Sequence, residues 1–144
     1  MKIIVGVDDS PCSDVALDFV KAMVWPTESQ IVVASAVKVT EAMYSDAYIA
    51  NPALSRRLYE ESVQRQQQVV ERAEQKIKSA ELATKGRVLN GDPREALVDL
   101  AKQECADLLV VGSHGRSGLT KLLLGSVASH VVGHAPCSVM VVKR

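Results

Sequence analysis

Asp107-Leu108-Leu109-Val110-Val111-Gly112-Ser113-His114-Gly115 sets a wholly apolar run directly against the first two of four glycines that fall between positions 112 and 125. A short run with no polar alternation suits a strand buried on both faces, as crossover helices bury a parallel sheet. It stops at a glycine, where a chain can turn sharply and approach its neighbours closely. Downstream, Ser126–His134 reads as a short helix, Pro136 breaks it, and Ser138–Val142 is a last apolar strand. Upstream, Gly91-Asp92-Pro93-Arg94-Glu95 combines a capping Asp, a Pro at the first helical position and a Glu three residues after the cap. The helix it opens carries Leu97, Leu100, Ala101 and Cys105 as its buried stripe.

The same alternation extends to the N-terminus. Lys2–Asp8 is a β-branched run, followed by a helix for which Ser10 is the cap and Pro11 the first residue, with Cys12, Val15, Ala16, Phe19, Val20 and Met23 at helical spacing. Trp25-Pro26 ends it, and Ile31–Val39 is a second strand. Thr40–Pro52 reads as a loop or a weak helical turn, and Ala53 to about Ala83 as a long, charged surface helix. Lys85–Asn90 is a weaker strand. Strands alternating with helices predict an α/β fold, a doubly wound five-stranded parallel sheet with helices on both faces. Ligands of such sheets bind beyond the carboxyl ends of the strands, where the winding reverses. With strands one and four as neighbours there, the loops Asp8–Ser10 and 112–125 face each other across one crevice.

The 144 residues fit a single domain spanning 1–144. Hydrophobic residues make up 47% and charged residues 24%, enough for a core and against disorder. Lys+Arg and Asp+Glu both number 17, which leaves no basic excess to hold a phosphate backbone, so no nucleic acid is expected as a partner. No apolar run reaches the ~18 residues of a membrane span, and the first residues lack a signal peptide's apolar region, so no membrane partner is expected. Cys12, Cys105 and Cys137 are odd in number and widely spaced, which predicts reduced thiols and a cytoplasmic home. Aromatics are only 3%, so the core is expected to be aliphatic.

The glycine loop is where chemistry is expected. Glycines let several N–H groups converge on one anion, and the following helix adds a partial positive charge at its N-terminus. The spacing matches neither G-x-x-x-x-G-K-[ST] nor G-x-G-x-x-G. Gly112-x2-Gly115-x9-Gly125-Ser126 instead resembles the signature of the nucleotide-binding universal stress proteins. Val7-Asp8-Asp9-Ser10 after strand one and Pro136-Cys137-Ser138-Val139-Met140-Val141-Val142 at the end resemble that family too, so that the likeness covers the chain.

The resemblance implies a Rossmann-like fold with strand order 3-2-1-4-5 that binds an adenine nucleotide: ATP, or ADP or AMP, with or without Mg2+. By position, Asp8, Ala36 and Val111 would face the adenosine end. Gly112, His114, Gly115 and Arg116 would run along ribose and phosphates, and Gly125, Ser126 and Val127 would close on the phosphate tail. Ser10 joins this candidate set, although capping is the plainer role for it. A one-residue slip of strand two would replace Ala36 by Val37 or Ser35.

Each candidate also has a purely structural reading. The glycines can make a tight turn without a ligand, Asp8 can cap a helix, and Arg116 can be a solvated charge; a place in a phosphate loop favours binding for Arg116. His130 and His134, at i, i+4 with Cys137 nearby, suggest a metal site only superficially, because no third ligand has matching spacing, and no metal is expected. Cys12 and Cys105 are expected to be core thiols. No catalytic residue is assigned. The expected function is a stress-response signalling homodimer responding to an adenine nucleotide, with slow ATP hydrolysis, autophosphorylation or cyclic AMP binding as alternatives. The homodimer is expected through Ser138–Val142, an apolar strand followed only by Lys143 and Arg144 and so left with a bare sheet edge.

Overall fold

The computed structural model describes residues 1–38, 51–78, 82–115 and 124–144. Its elements run β1 (Lys2–Gly6), α1 (Pro11–Ala22), β2 (Gln30–Val37), α2 (Pro52–Ile77), β3 (Ala83–Asn90), α3 (Pro93–Gln103), β4 (Leu108–Gly112), α4 (Ser126–His134) and β5 (Ser138–Val142). The strands form one five-stranded sheet in the order β3-β2-β1-β4-β5. Every pairing is parallel. The winding therefore reverses between β1 and β4, where Ile4 stands between Val32 of β2 and Leu109 of β4.

The β-branched runs of β1, β2 and β4 supply two aliphatic cores because successive side chains point to opposite faces. On one face Ile3, Val5, Ile31, Val33 and Val110 pack with Ala16, Leu17 and Val20 of α1 and Val69, Ala73 and Ile77 of α2. On the other, Ile4, Val32, Leu109 and Val111 pack with Leu97, Leu100 and Ala101 of α3 and Ala128 and Val131 of α4. In the two cores Ile3, Ile4, Val5, Val33, Leu109 and Val110 are fully buried. Truncating any of these to Ala would remove about 2 to 4 kcal/mol of transfer and cavity energy.

Helix starts follow their caps. Ser10 accepts from the Ser13 amide, Asn51 from Leu54 and Asp92 from Arg94. Arg94 also donates two side-chain bonds of 2.9 Å to Asp92. These hold the Asp92 carboxyl at about 2, against the 3.8 of an ordinary Asp. The dipeptide Asn51-Pro52, expected to close a loop, is thus the cap and first residue of α2. The rest of the expected loop lies outside the described residues for positions 40–50.

Other expectations are corrected. β1 ends at Gly6 rather than Asp8, β2 occupies 30–37 rather than 31–39, and α2 ends at Ile77. β3 starts at Ala83, two residues before the expected Lys85, because pairing with β2 continues back to Gln30↔Ala83 despite the weak apolar pattern. In α1 the buried stripe is Ser13, Ala16, Leu17 and Val20, whereas Phe19 and Met23 are exposed. The helix is turned so that Leu17 and Val20 enter the core with Val69 and Ala73 of α2, and this leaves Asp18 on the surface, 2.9 Å from Lys76. Neither Cys12 nor Cys105 is a core thiol. Cys12 is half-buried and Cys105 exposed.

Cys105 is exposed because α3 has already ended. The amides of Cys105 and Ala106 turn back to Lys102 O and Ala101 O, a terminus that puts Cys105 at φ 49°. That left-handed position favours glycine over any residue with a Cβ. Cys105→Gly is therefore expected to raise stability by about 0.5 to 1 kcal/mol in urea melts, with unchanged circular dichroism.

Candidate functional site

Three strand ends meet at the reversal. After β1, the Val7 amide still bonds to Ala34 O of β2 at 2.8 Å, so the chain leaves the sheet only at Asp8. Asp8 is then locked into the start of α1. Its amide donates to Ser13 Oγ at 3.1 Å, and its Oδ1 accepts from the Ser10 amide at 3.0 Å and from the Ser10 hydroxyl. Ser10 is buried and works as a helix cap; of the sequence candidates described here, it is the one that does not line the crevice beyond the strands.

The loop after β4 folds against this cap. A Cβ on Gly112 would lie 2.7 Å from the carbonyl carbon and oxygen of Cys12, so only hydrogen fits between the end of β4 and the first turn of α1. A Cβ on Gly115 would lie 2.9 Å from Asp8 Oδ2. The Ser113 amide bonds to Val142 O of β5, and the Gly125 amide to Ser113 O, both at 2.8 Å, which brings the far end of the glycine loop back beside its beginning. His114 Nδ1 lies 3.1 Å from Ser113 Oγ.

Gly125 caps α4 in an extended conformation without any side-chain bond to the first turn. The leading amides of a helix have no partner within it and carry its partial positive charge. Ser126, Val127 and Ala128 of that first turn line the crevice.

The crevice has a volume of about 450 Å³, within the range of small-molecule sites. Asp8, Ala36, Val111, Gly112, His114, Gly115, Gly125, Ser126 and Val127, all expected from sequence, line it together. Arg116 lies outside the described residues. For strand two, both Ala36 and the slipped alternative Ser35 line the crevice, and Val37 is buried elsewhere.

Among the lining residues that sequence reasoning missed are Lys38, Gln66, Pro93 and Leu97. Pro93 and Leu97 were legible as helix start and core but not as crevice wall. Gln66 had a signal: it stands three and four residues before Val69 and Val70, on the stripe that continues to Ala73 and Ile77. A glutamine on a buried stripe needs a polar reason to be there.

The histidine pair has a structural explanation. The rings of His130 and His134 stack at 4.1 Å, His134 Nδ1 lies 2.9 Å from His130 O, and His130 Nε2 is 3.2 Å from Glu95 Oε1 of α3. Parallel rings cannot aim their nitrogen lone pairs at a common ion. Among the described residues, no group of three or more His, Cys, Asp or Glu side chains is arranged to hold a metal. Burial, followed by the charge of Asp107, pushes the Cys137 thiol up and away from reactivity. No helix among the described residues is long and apolar enough to cross a membrane.

The sheet order and this crevice define an open α/β protein with a ligand site at the point of reversal. The universal stress protein family matches residues 1–143, and the chain belongs to that family. Universal stress protein Sll1388 of Synechocystis is 29% identical over 99% of this chain and 97% of its own length. The solved structure of MJ0577, a universal stress protein of Methanocaldococcus jannaschii, superposes with a TM-score of 0.84 at 25% identity, covering 99% of this chain and 95% of that one. A universal stress protein solved in complex with cAMP superposes with a TM-score of 0.70 at 26% identity, over 99% and 96% of the two chains.

The Gly112 contact is rigid on both sides, since its neighbours are backbone atoms. Gly112→Ala is expected to cost about 1 to 3 kcal/mol in urea denaturation. Gly133→Ala, at a helical position where a Cβ would meet nothing within 4 Å, is expected to raise stability by up to about 1 kcal/mol.

Proposed function

We propose that the crevice binds an adenine nucleotide, ATP or its di- or monophosphate, placing this chain in the ATP-binding subset of the family. The observation that carries the proposal is the uncapped first turn of α4 opening onto the same crevice as the pinched glycine loop. Such a turn offers unpartnered amides to phosphate oxygens. The likeness to a relative solved with cAMP supports a nucleotide with an adenine base. The base then lies toward β2 and the phosphates toward α4, with Arg116 as a further phosphate partner. Any Mg2+ would be held by phosphates and water, with Asp8 as the carboxylate in the described lining of the crevice.

The lining favours binding over turnover: among the described residues Asp8 is the one carboxylate that lines the crevice, so no acidic pair is present to hold a catalytic metal, and its Oδ1 is engaged by the Ser10 amide and hydroxyl. We read the protein as a cytoplasmic signalling module of the stress response whose output is its nucleotide-dependent state.

Ser126→Pro tests the site with little damage to the fold. Position 126 opens α4, where proline is tolerated and removes only an amide that the helix does not use. Calorimetric titration is expected to show saturable ATP binding in the wild type and affinity about tenfold lower in Ser126→Pro, with adenosine affected much less. Absence of ATP binding by the wild type refutes the function; equal loss for ATP and adenosine refutes the phosphate assignment.

The homodimer is proposed through β5, which is the last strand in the sheet order and, among the described residues, has β4 alone as its neighbour. Apolar groups flank this edge. Val139, Met140 and Val141 are only half-buried, and α1, which packs on β5, leaves Phe19 and the following Met23 exposed. Sedimentation velocity is expected to give a dimer for the wild type and monomers or aggregates for Val141→Pro, which loses a strand amide. A monomeric wild type, or a folded dimeric variant, excludes this interface.

A further inference from the structure

Gln66 is the buried polar side chain that α2 sends into the crevice, only 7% exposed, and its hydrogen bonding fixes which end of its amide the crevice meets. Ser35 Oγ lies 2.7 Å from Val7 O and 2.8 Å from the amide end of Gln66 placed as Oε1. A hydroxyl has one proton and a carbonyl can only accept. With two acceptors at those distances, one contact would be oxygen against oxygen with no hydrogen between them. Val7 O cannot change its role, so the Ser35 proton goes to Val7 O. Ser35 Oγ must then receive a proton from Gln66, which requires the amide to be turned so that Nε2 faces Ser35. The two amide orientations have the same shape, and the hydrogen-bond network decides between them.

With Nε2 committed to Ser35, Gln66 Oε1 is left toward the crevice as an acceptor. We propose that Gln66, held by Ser35, is a specificity-determining residue that reads the base: it accepts from an exocyclic amine such as the 6-amino group of adenine and opposes a base with a carbonyl there. The 6-amino group is the one N–H donor on the base of an adenine nucleotide. Hypoxanthine has the same shape but carries an oxygen at that position, so two acceptors would face each other. The placement agrees with the crevice's polarity. The uncapped helix end lies on the β4 side, whereas Ser35 and Gln66 lie on the β2 side, where the β2 wall adds Ala34 and Ala36 for an apolar ring. This inference rests on the nucleotide reading of the crevice.

Titration of the wild type, Gln66→Leu and Ser35→Ala with ATP and with inosine triphosphate tests it, with thermal melts to confirm folding. Leaving a buried acceptor opposed by another acceptor costs enough to separate the two ligands about tenfold or more. The wild type is expected to prefer ATP by that factor, and Gln66→Leu to bring the ratio near one. Ser35→Ala frees the amide to turn either way and is expected to narrow the ratio by improving inosine triphosphate binding. A purely structural role would weaken both nucleotides alike and leave the ratio unchanged. Equal wild-type affinities, or a ratio that survives Gln66→Leu, overturn the assignment while leaving nucleotide binding intact. Failure of the wild type to bind either nucleotide overturns the nucleotide reading, and this assignment with it.

Discussion

The contact between Gly112 and the first turn of α1 is the constraint on which the rest of this structure depends. No side-chain atom fits there, because the backbone of Cys12 occupies the space a Cβ would need. That approach lets the loop after β4 fold over the loop after β1. It sets Gly115 against Asp8 and returns Gly125 to bond with Ser113. A larger residue at 112 would separate two loops whose proximity makes the crevice. The stability of the α1 cap and the shape of the site therefore share one cause, and the structural and binding readings of these glycines are not in competition.

The sheet beneath supplies rigidity with almost no aromatic side chains. Its two faces are filled by Ile, Val, Leu and Ala in small, interlocking units. β-Branched residues have few rotamers to lose on burial, and their stiffness holds strand ends in fixed positions. One buried polar chain, Val7 O, Ser35 and Gln66, ties the ends of β1 and β2 to α2. The Ser35 hydroxyl has one proton to give, and that limit sets which end of the Gln66 amide faces it.

The crevice has two chemically different ends because the sheet brings different elements to each. On the β4 side stands a helix start with unpartnered amides, a place for anionic oxygen. On the β2 side stand small apolar side chains and one oriented amide, a place for a flat heterocycle with a polar edge. A nucleotide has those two ends in that order. The parallel arrangement makes this possible, since only then do all strand carboxyl ends, and the loops that follow them, gather on one rim.

By itself the sequence determined the element types and the parallel winding, and the resemblance it carries pointed to the glycine-loop part of the crevice lining. These depend on local chemistry: β-branched runs, Ser10 and Asp92 as caps, glycines at set intervals. Contacts between distant elements were not encoded in that way. The rotation of α1 that buries Leu17 and exposes Phe19 follows from the packing of Leu17 and Val20 with Val69 and Ala73 of α2, far along the chain. Cys105 looked like core until the end of α3 turned it outward. Gln66 sat among other glutamines on a long surface helix, and only the packing of that helix on β2 singled it out. Periodicity tells which face of an element is buried to within a turn; the partner on the other side decides the rest, and that partner exists only in the folded chain.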